Sequence, residues 1–324
     1  MRVLVMGAGG MGGFLGARMA QAGHDVTLVA RGTHLEVIQR DGLTIRMDEG
    51  GKQLADLVAV RYPSEVKGPV DLALFSVKTY DTEPAAEALA LSMGPTGLVF
   101  SVQNGITGID RLNNKFGTDR VLPGVSWITS HVVGPGVIHC LDEEHRVDVG
   151  WQTDTARSGA MVVADAFEQS GIPDVRRHAD WSVMLWSKLT LVAPLMAVAT
   201  SAMLRYRHLK GQPGVNALLY SLLEEAISTA RASGVAVPDT IRDEFRSIVD
   251  EIADDGAPSL LLDYERERRV ELDDVIGALV QRAHRLCVPT PHFDSLYPIL
   301  RARAVAFGGV AGTEERFDDR GRES

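Results

Sequence analysis

The chain is poor in cysteine. Among 324 residues only Cys140 and Cys287 occur, far apart and without the spacing of a metal site. They read as two buried, reduced thiols of a cytoplasmic protein rather than as a disulfide framework. Positive charge is also scarce: 33 basic residues stand against 43 acidic ones, a net charge of -10. That balance excludes the broad basic field by which proteins hold nucleic acid or an anionic membrane, although it leaves room for a local basic pocket. No secretory signal is expected, because the apolar run Met1–Met6 is short and passes directly into glycines. Internal repeats and low-complexity tracts are absent. Long apolar runs number one, residues 181–203, interrupted by Lys188 and Pro194. Its length would span a bilayer, but with no second such run it reads as a core helix.

What is present is an ordinary globular balance, 45% hydrophobic and 23% charged, at a length that suggests two domains. Arg2–Met6 is a short apolar run expected as a buried strand, followed by glycines, a helical stretch over Phe14–Ala22, a second strand over Asp25–Ala30 and a helix over Thr33–Arg40. Strand, glycine turn, helix, strand opens a doubly wound sheet. Thr44–Met47 and Gln53–Val60, separated by Asp48-Glu49-Gly50-Gly51, resemble an inserted hairpin. Parallel strands resume at Leu72–Val77 and Leu98–Val102, followed by helical stretches over Glu83–Ser92 and Ile106–Phe116. From Val121 to Val149 short β-rich runs predict antiparallel strands closing one edge of the sheet. After residue 179 the pattern is helical, over 181–203, 214–234, 239–253, 271–286 and 292–305. The expected architecture is α/β: a Rossmann-type domain over 1–178, an all-helical domain over 179–310, and a charged, frayed tail over 311–324.

The chemistry begins at Gly7-Ala8-Gly9-Gly10-Met11-Gly12. In a G-x-G-x-x-G turn the first glycine permits the tight turn, the second lets backbone approach a pyrophosphate, and the third lets helix and strand pack closely. The helix start then presents N–H groups and partial positive charge to phosphate. At the end of the second strand, where an NAD site usually carries Asp or Glu, this chain has Ala30-Arg31. A guanidinium there suits a 2′-phosphate, so NADPH is the expected cofactor; the alternative is a solvated loop arginine.

With Arg31, Ser76-Val77-Lys78, Gln103-Asn104-Gly105, Leu185-Trp186-Ser187-Lys188-Leu189, Pro258-Ser259-Leu260-Leu261-Leu262-Asp263 and Glu271-Leu272-Asp273 following the glycine turn in order, the chain resembles the ketopantoate reductases over roughly residues 1–300. The resemblance implies the 6-phosphogluconate-dehydrogenase-like pairing of a Rossmann-type and a helical domain, and hydride transfer from NADPH to a 2-oxo acid. It implies Lys188 as catalytic lysine, Glu271 as its acidic partner, Ser259 as a substrate ligand, and Asn104 and Lys78 as polar groups serving both cofactor and substrate. Ser259, after Pro258, also reads as a helix N-cap. The leading expectation is reduction of 2-dehydropantoate to pantoate. Two alternatives are a D-2-hydroxy acid dehydrogenase or 2-oxo acid reductase for a more apolar substrate, and a non-catalytic NADP-binding regulator. The small-molecule substrate is the expected partner, with a homodimer possible through the helical domain. The chain departs from the family at Val192, Met196 and Ile276, where asparagines are usual.

Overall fold

The computed structural model describes residues 1–47, 52–55, 57–141 and 145–310. The turn expected over Asp48–Gly51 and the tail expected over 311–324 lie outside the described residues. Twelve strands are described: β1 (Arg2–Met6), β2 (Asp25–Val29), β3 (Leu43–Met47), β4 (Lys52–Ala55), β5 (Val58–Val60), β6 (Val70–Phe75), β7 (Met93–Ser101), β8 (Val121–Trp127), β9 (Ser130–Gly134), β10 (Val137–Cys140), β11 (Arg146–Gly150) and β12 (Asp174–His178). Five helices accompany them: α1 (Gly10–Gln21), α2 (Gly32–Asp41), α3 (Thr82–Ala90), α4 (Gly108–Phe116) and α5 (Asp154–Gln169). The compact unit they form covers Met1–Leu189 together with Gly234–Pro238.

Its main sheet has eight strands in the order β12-β11-β8-β7-β6-β1-β2-β5. β5, β2, β1, β6, β7 and β8 pair in parallel, β11 is antiparallel to β8, and β12 is parallel to β11. The central strands are buried on both faces, as apolar runs such as Val3-Leu4-Val5 and Leu72-Ala73-Leu74-Phe75 require. The chain reverses its direction of winding at β1, and ligands of such sheets bind in the crevice beyond the strand carboxyl ends there. Register makes those ends level: Met6 lies opposite both Val29 and Phe75, and Phe75 opposite Ser101. The segments that follow β1, β2, β6 and β7 therefore all leave one edge of the sheet.

The antiparallel closure expected over 121–149 is only partly correct. β8 and β11 do extend the main sheet, but β9 and β10 leave it and join the hairpin β3–β4 in a second sheet of order β4-β3-β10-β9. This sheet lies on α1, and the glycines of that helix allow the approach. A Cβ on Gly10 would stand 2.1 Å from the Ser130 carbonyl oxygen, and one on Gly13 would stand 2.3 Å from Ile138 Cδ1. Cys140 is buried here, whereas Cys287 is exposed, so the expectation of two buried thiols holds for one.

The second unit covers Thr190–Ser233 and the chain from Asp239 onward. It is helical, with α7 (Tyr206–Leu209), α8 (Pro213–Ala232), α9 (Ile241–Glu251), α10 (Ser259–Glu265), α11 (Ala278–Arg285) and α12 (Pro291–Ala306) following α6 (Trp181–Ala202). α6 stays helical through Pro194, and 78% of its most apolar 18-residue window is buried inside the protein, as befits a core helix. α8 and α12 are joined by the carboxylate of Glu225, which accepts hydrogen bonds from the His292 and Phe293 N–H groups at 2.9 and 3.1 Å. A carboxylate there satisfies orphan donors at the start of α12 and meets the positive end of its dipole.

Candidate active site

The glycine turn has the geometry that a pyrophosphate-binding loop demands. Gly7 sits at φ +102°, a conformation that a side chain would strain. Gly12 is needed for a different reason: a Cβ there would stand 2.0 Å from Ser76 Oγ and 2.2 Å from the Gly7 carbonyl oxygen. That same Ser76 hydroxyl donates to the Gly7 carbonyl at 2.9 Å and the Met6 carbonyl at 3.1 Å, tying the loop to the end of β6. At Gly9 nothing would lie within 4 Å of an added Cβ. The loop is therefore packed from below and open at the position where a ligand's phosphates need access. Gly9 also caps α1 without a side-chain hydrogen bond, and the helix has no acidic residue in its first turn. Its N-terminal N–H groups and dipole suit an anion. Met11 accepts a hydrogen bond at Sδ from the Ser126 hydroxyl, 2.9 Å away.

Arg31, at the start of α2, is exposed and forms no ion pair among the described residues. With Ala30 and no carboxylate at the end of β2, the residues present fit a cofactor carrying a 2′-phosphate.

Across the sheet edge, Gln103 fastens two neighbouring segments. Its Nε2 donates to the Val77 carbonyl at 3.0 Å and to Thr82 Oγ1 at 2.9 Å. This holds the stretch after β7 against the stretch after β6, which carries half-buried Lys78 at the head of a short turn over Thr79–Asp81. Asn104 follows Gln103, and Gly105 beyond it turns the chain at φ +82°. Lys188, on α6, donates from Nζ to Asn104 Oδ1 at 3.2 Å and to the Ser126 carbonyl at 3.0 Å. Two oxygen acceptors favour the charged ammonium. The Trp127 ring lies 6.0 Å from the same Nζ, at the outer limit of a cation–π contact. With its oxygen engaged by Lys188, the Asn104 amide retains N–H donors for a ligand.

The Trp127 indole is itself anchored. Its Nε1 donates to Asp148 Oδ2 at 3.0 Å; Asp148 is 1% exposed and also accepts from Arg146 and His178. Burial alone would raise the Asp148 carboxyl, but the hydrogen bonds from His178 and Arg146 and their charges outweigh it and hold its pKa below the ordinary value.

The structure thus brings together three of the expected residues or groups in the first unit: the glycine loop, Asn104 and Lys188. Ser259 and Glu271 belong to the second unit. Glu271 is buried at the entrance to a wide helical turn over Asp273–Gly277 that leads into α11. Ser259 is not the N-cap that its position suggested. Pro258 occupies the cap, with an extended backbone at φ -66° and ψ 150°, and Ser259 is the first residue of α10. Proline has no side-chain acceptor, so this helix start carries no side-chain cap hydrogen bond. Residues missed in the sequence are Ser126 and Trp127. Nothing local marks them: they act through a backbone carbonyl and a ring face.

Comparison with known proteins identifies the family. The family model for ketopantoate reductase PanE/ApbA matches residues 3–152, and the model for its C-terminal part matches 180–304. A 2-dehydropantoate 2-reductase of Mesorhizobium japonicum is 28% identical over 333 residues, covering 95% of this chain and 99% of that protein. The crystal structure of a PanE/ApbA family ketopantoate reductase from Ralstonia eutropha JMP134 is 30% identical, with a TM-score of 0.86 over 95% of this chain and 100% of that one. The ternary structure of D-mandelate dehydrogenase with NADH and anilino(oxo)acetate shares the fold, at TM-score 0.88 and 21% identity. The chain belongs to the ketopantoate reductase family and is an NADPH-dependent oxidoreductase that reduces 2-oxo acids, not a non-catalytic NADP-binding regulator.

Proposed function

We propose that the substrate is 2-dehydropantoate, reduced to pantoate, and that Lys188 supplies the proton. The observation that carries this reading is the Lys188 ammonium, held by Asn104 Oδ1 and the Ser126 carbonyl at the sheet edge that also carries the glycine loop. Bound NADPH supplies a hydride to the carbonyl carbon. The negative charge left on oxygen needs a nearby proton donor or cation, and Lys188 is both. Asn104 orients that ammonium through its amide oxygen and keeps N–H donors for a ligand oxygen. Glu271 takes the part of the acid that keeps Lys188 protonated, and Ser259 and Lys78 take the substrate's polar end. Lys78 and Asn104 also serve the cofactor, beside Arg31 at the 2′-phosphate.

A specific feature favours a second reading. Lys188, Val192 and Met196 follow at four-residue intervals on one helix and so share a face. Val192 and Met196 are apolar where the family usually has asparagines, and Ile276 is apolar and fully buried where a third is usual. An absent amide removes a hydrogen bond of about 0.5–1.5 kcal/mol, so two would cost roughly tenfold or more in kcat/KM for a hydroxylated substrate. On this reading the preferred substrate is a 2-oxo acid with an apolar tail. The test measures kcat/KM for 2-dehydropantoate beside 2-oxoisovalerate and an aryl 2-oxo acid. Preference for 2-dehydropantoate supports the first reading. The reverse preference, diminished by Val192→Asn, supports the second.

A further inference from the structure

We propose that His34 is a positioning residue for NADPH, fixing the orientation of the Ala8–Gly9 peptide in the phosphate-binding loop. His34 lies in the first turn of α2, three residues after Arg31, and its ring joins two segments distant in sequence. Nε2 is 2.9 Å from the Ala8 carbonyl oxygen, and the Gly136 N–H donates to Nδ1 at 3.0 Å. Because Nδ1 accepts, the ring proton resides on Nε2, and Nε2 donates to Ala8. The turn that supplies Gly136 is itself fixed, by a hydrogen bond from the Thr44 N–H to the Gly136 carbonyl at 2.9 Å. Burial pushes the His34 pKa below the ordinary imidazole value, which favours the neutral ring this pattern needs.

The consequence follows from peptide planarity. In a trans peptide the carbonyl of Ala8 and the N–H of Gly9 point in opposite directions. Directing the Ala8 oxygen toward His34 turns the Gly9 N–H the other way. Gly9 is the loop position where an added Cβ would meet nothing within 4 Å. The backbone alone does not select this orientation, because glycine tolerates positive φ and a flip of the peptide costs it little. The other tie at Ala8, its N–H to the Val29 carbonyl at 3.1 Å, belongs to the preceding peptide and leaves this one unconstrained. His34 supplies the missing constraint.

Two near-isosteric variants separate the two bonds. In His34→Gln the side-chain amide nitrogen replaces Nε2 and keeps the bond to Ala8. In His34→Asn the shorter amide replaces Nδ1 and keeps only the bond from Gly136. Dissociation constants are measured by calorimetry on the full chain for NADPH and for adenosine 2′-phosphate, which presents the 2′-phosphate without a pyrophosphate. The proposal expects His34→Asn to bind NADPH about tenfold more weakly, the scale of one hydrogen bond, with adenosine 2′-phosphate unchanged and His34→Gln close to wild type. KM for NADPH rises in step in His34→Asn while kcat with saturating NADPH holds. Unaltered NADPH binding by His34→Asn overturns the proposal. So does His34→Gln binding as weakly as His34→Asn, or a parallel loss of adenosine 2′-phosphate, which would mark a general disturbance of α2.

Discussion

Replacing Lys188 by alanine removes the ammonium that donates to Asn104 Oδ1 and the Ser126 carbonyl. Two effects follow, and their magnitudes separate them. A positioned general acid contributes on the order of 10²–10⁴-fold to the chemical step, about 3–5 kcal/mol of barrier. The structural cost is smaller. Two acceptors lose a donor: Asn104 is half buried and water can reach it, whereas Ser126 is buried, so about 1–3 kcal/mol of stability is at stake. The variant is therefore expected to fold, to melt within a few degrees of wild type, and to bind NADPH normally, because the glycine loop and Arg31 are untouched. Single-turnover oxidation of bound NADPH by a saturating 2-oxo acid reads the chemical step directly and is expected to slow at least a hundredfold. Turnover within about threefold of wild type, in a variant with intact NADPH binding, would refute the assignment of Lys188 as proton donor.

If Glu271 keeps Lys188 protonated, as proposed, Glu271→Gln should move the limb of the pH–kcat profile belonging to Lys188 to lower pH; an unchanged profile means the two are uncoupled. Arg31→Ala should raise KM for NADPH by about 10–100-fold, the scale of a charge-assisted hydrogen bond, and barely change KM for NADH; equal effects on both cofactors would remove Arg31 from 2′-phosphate recognition. Asp148→Asn should destabilise the first unit by about 3 kcal/mol in thermal or urea melts, because Arg146 and His178 lose a buried counter-charge. The Asp148 pKa is lower folded than unfolded, so its contribution is fully present above the unfolded value of about 3.9 and is lost as pH falls through the folded one. The asparagine variant should accordingly show a shallower loss of stability on acidification; an identical acid limb contradicts this.

The parts of the fold legible in the sequence are those whose cause is local. Arg2–Met6 and Gly7–Gly12 declare a buried strand and a phosphate turn through burial pattern and steric need, and the structure gives each its reason at Gly7 and Gly12. The helical run after 181 shows the same legibility. Where pairing partners decide, the pattern falls silent. β9 and β10 are short β-rich runs, and nothing in Ser130–Cys140 reveals that they join β3 and β4 rather than β8. β12, Asp-Val-Arg-Arg-His, is an edge strand with one apolar residue and was not anticipated. Neither was α5, although Ala156, Ala160, Val163, Ala164 and Phe167 bury one face at helical spacing. The site divides in the same way. Lys188 and Asn104 were found as residue types in motifs, whereas His34 acts through a carbonyl 26 positions away and an N–H 102 positions away.

The central claim is that this chain delivers hydride from NADPH to a 2-oxo acid with Lys188 completing the reduction. Stopped-flow absorbance of enzyme-bound NADPH, mixed in turn with 2-dehydropantoate, 2-oxoisovalerate and an aryl 2-oxo acid, tests it most directly. The account predicts rapid oxidation with at least one of the three, yielding the 2-hydroxy acid, and loss of that phase in Lys188→Ala. Stable NADPH absorbance with all three acids, or an undiminished phase in the variant, would contradict it.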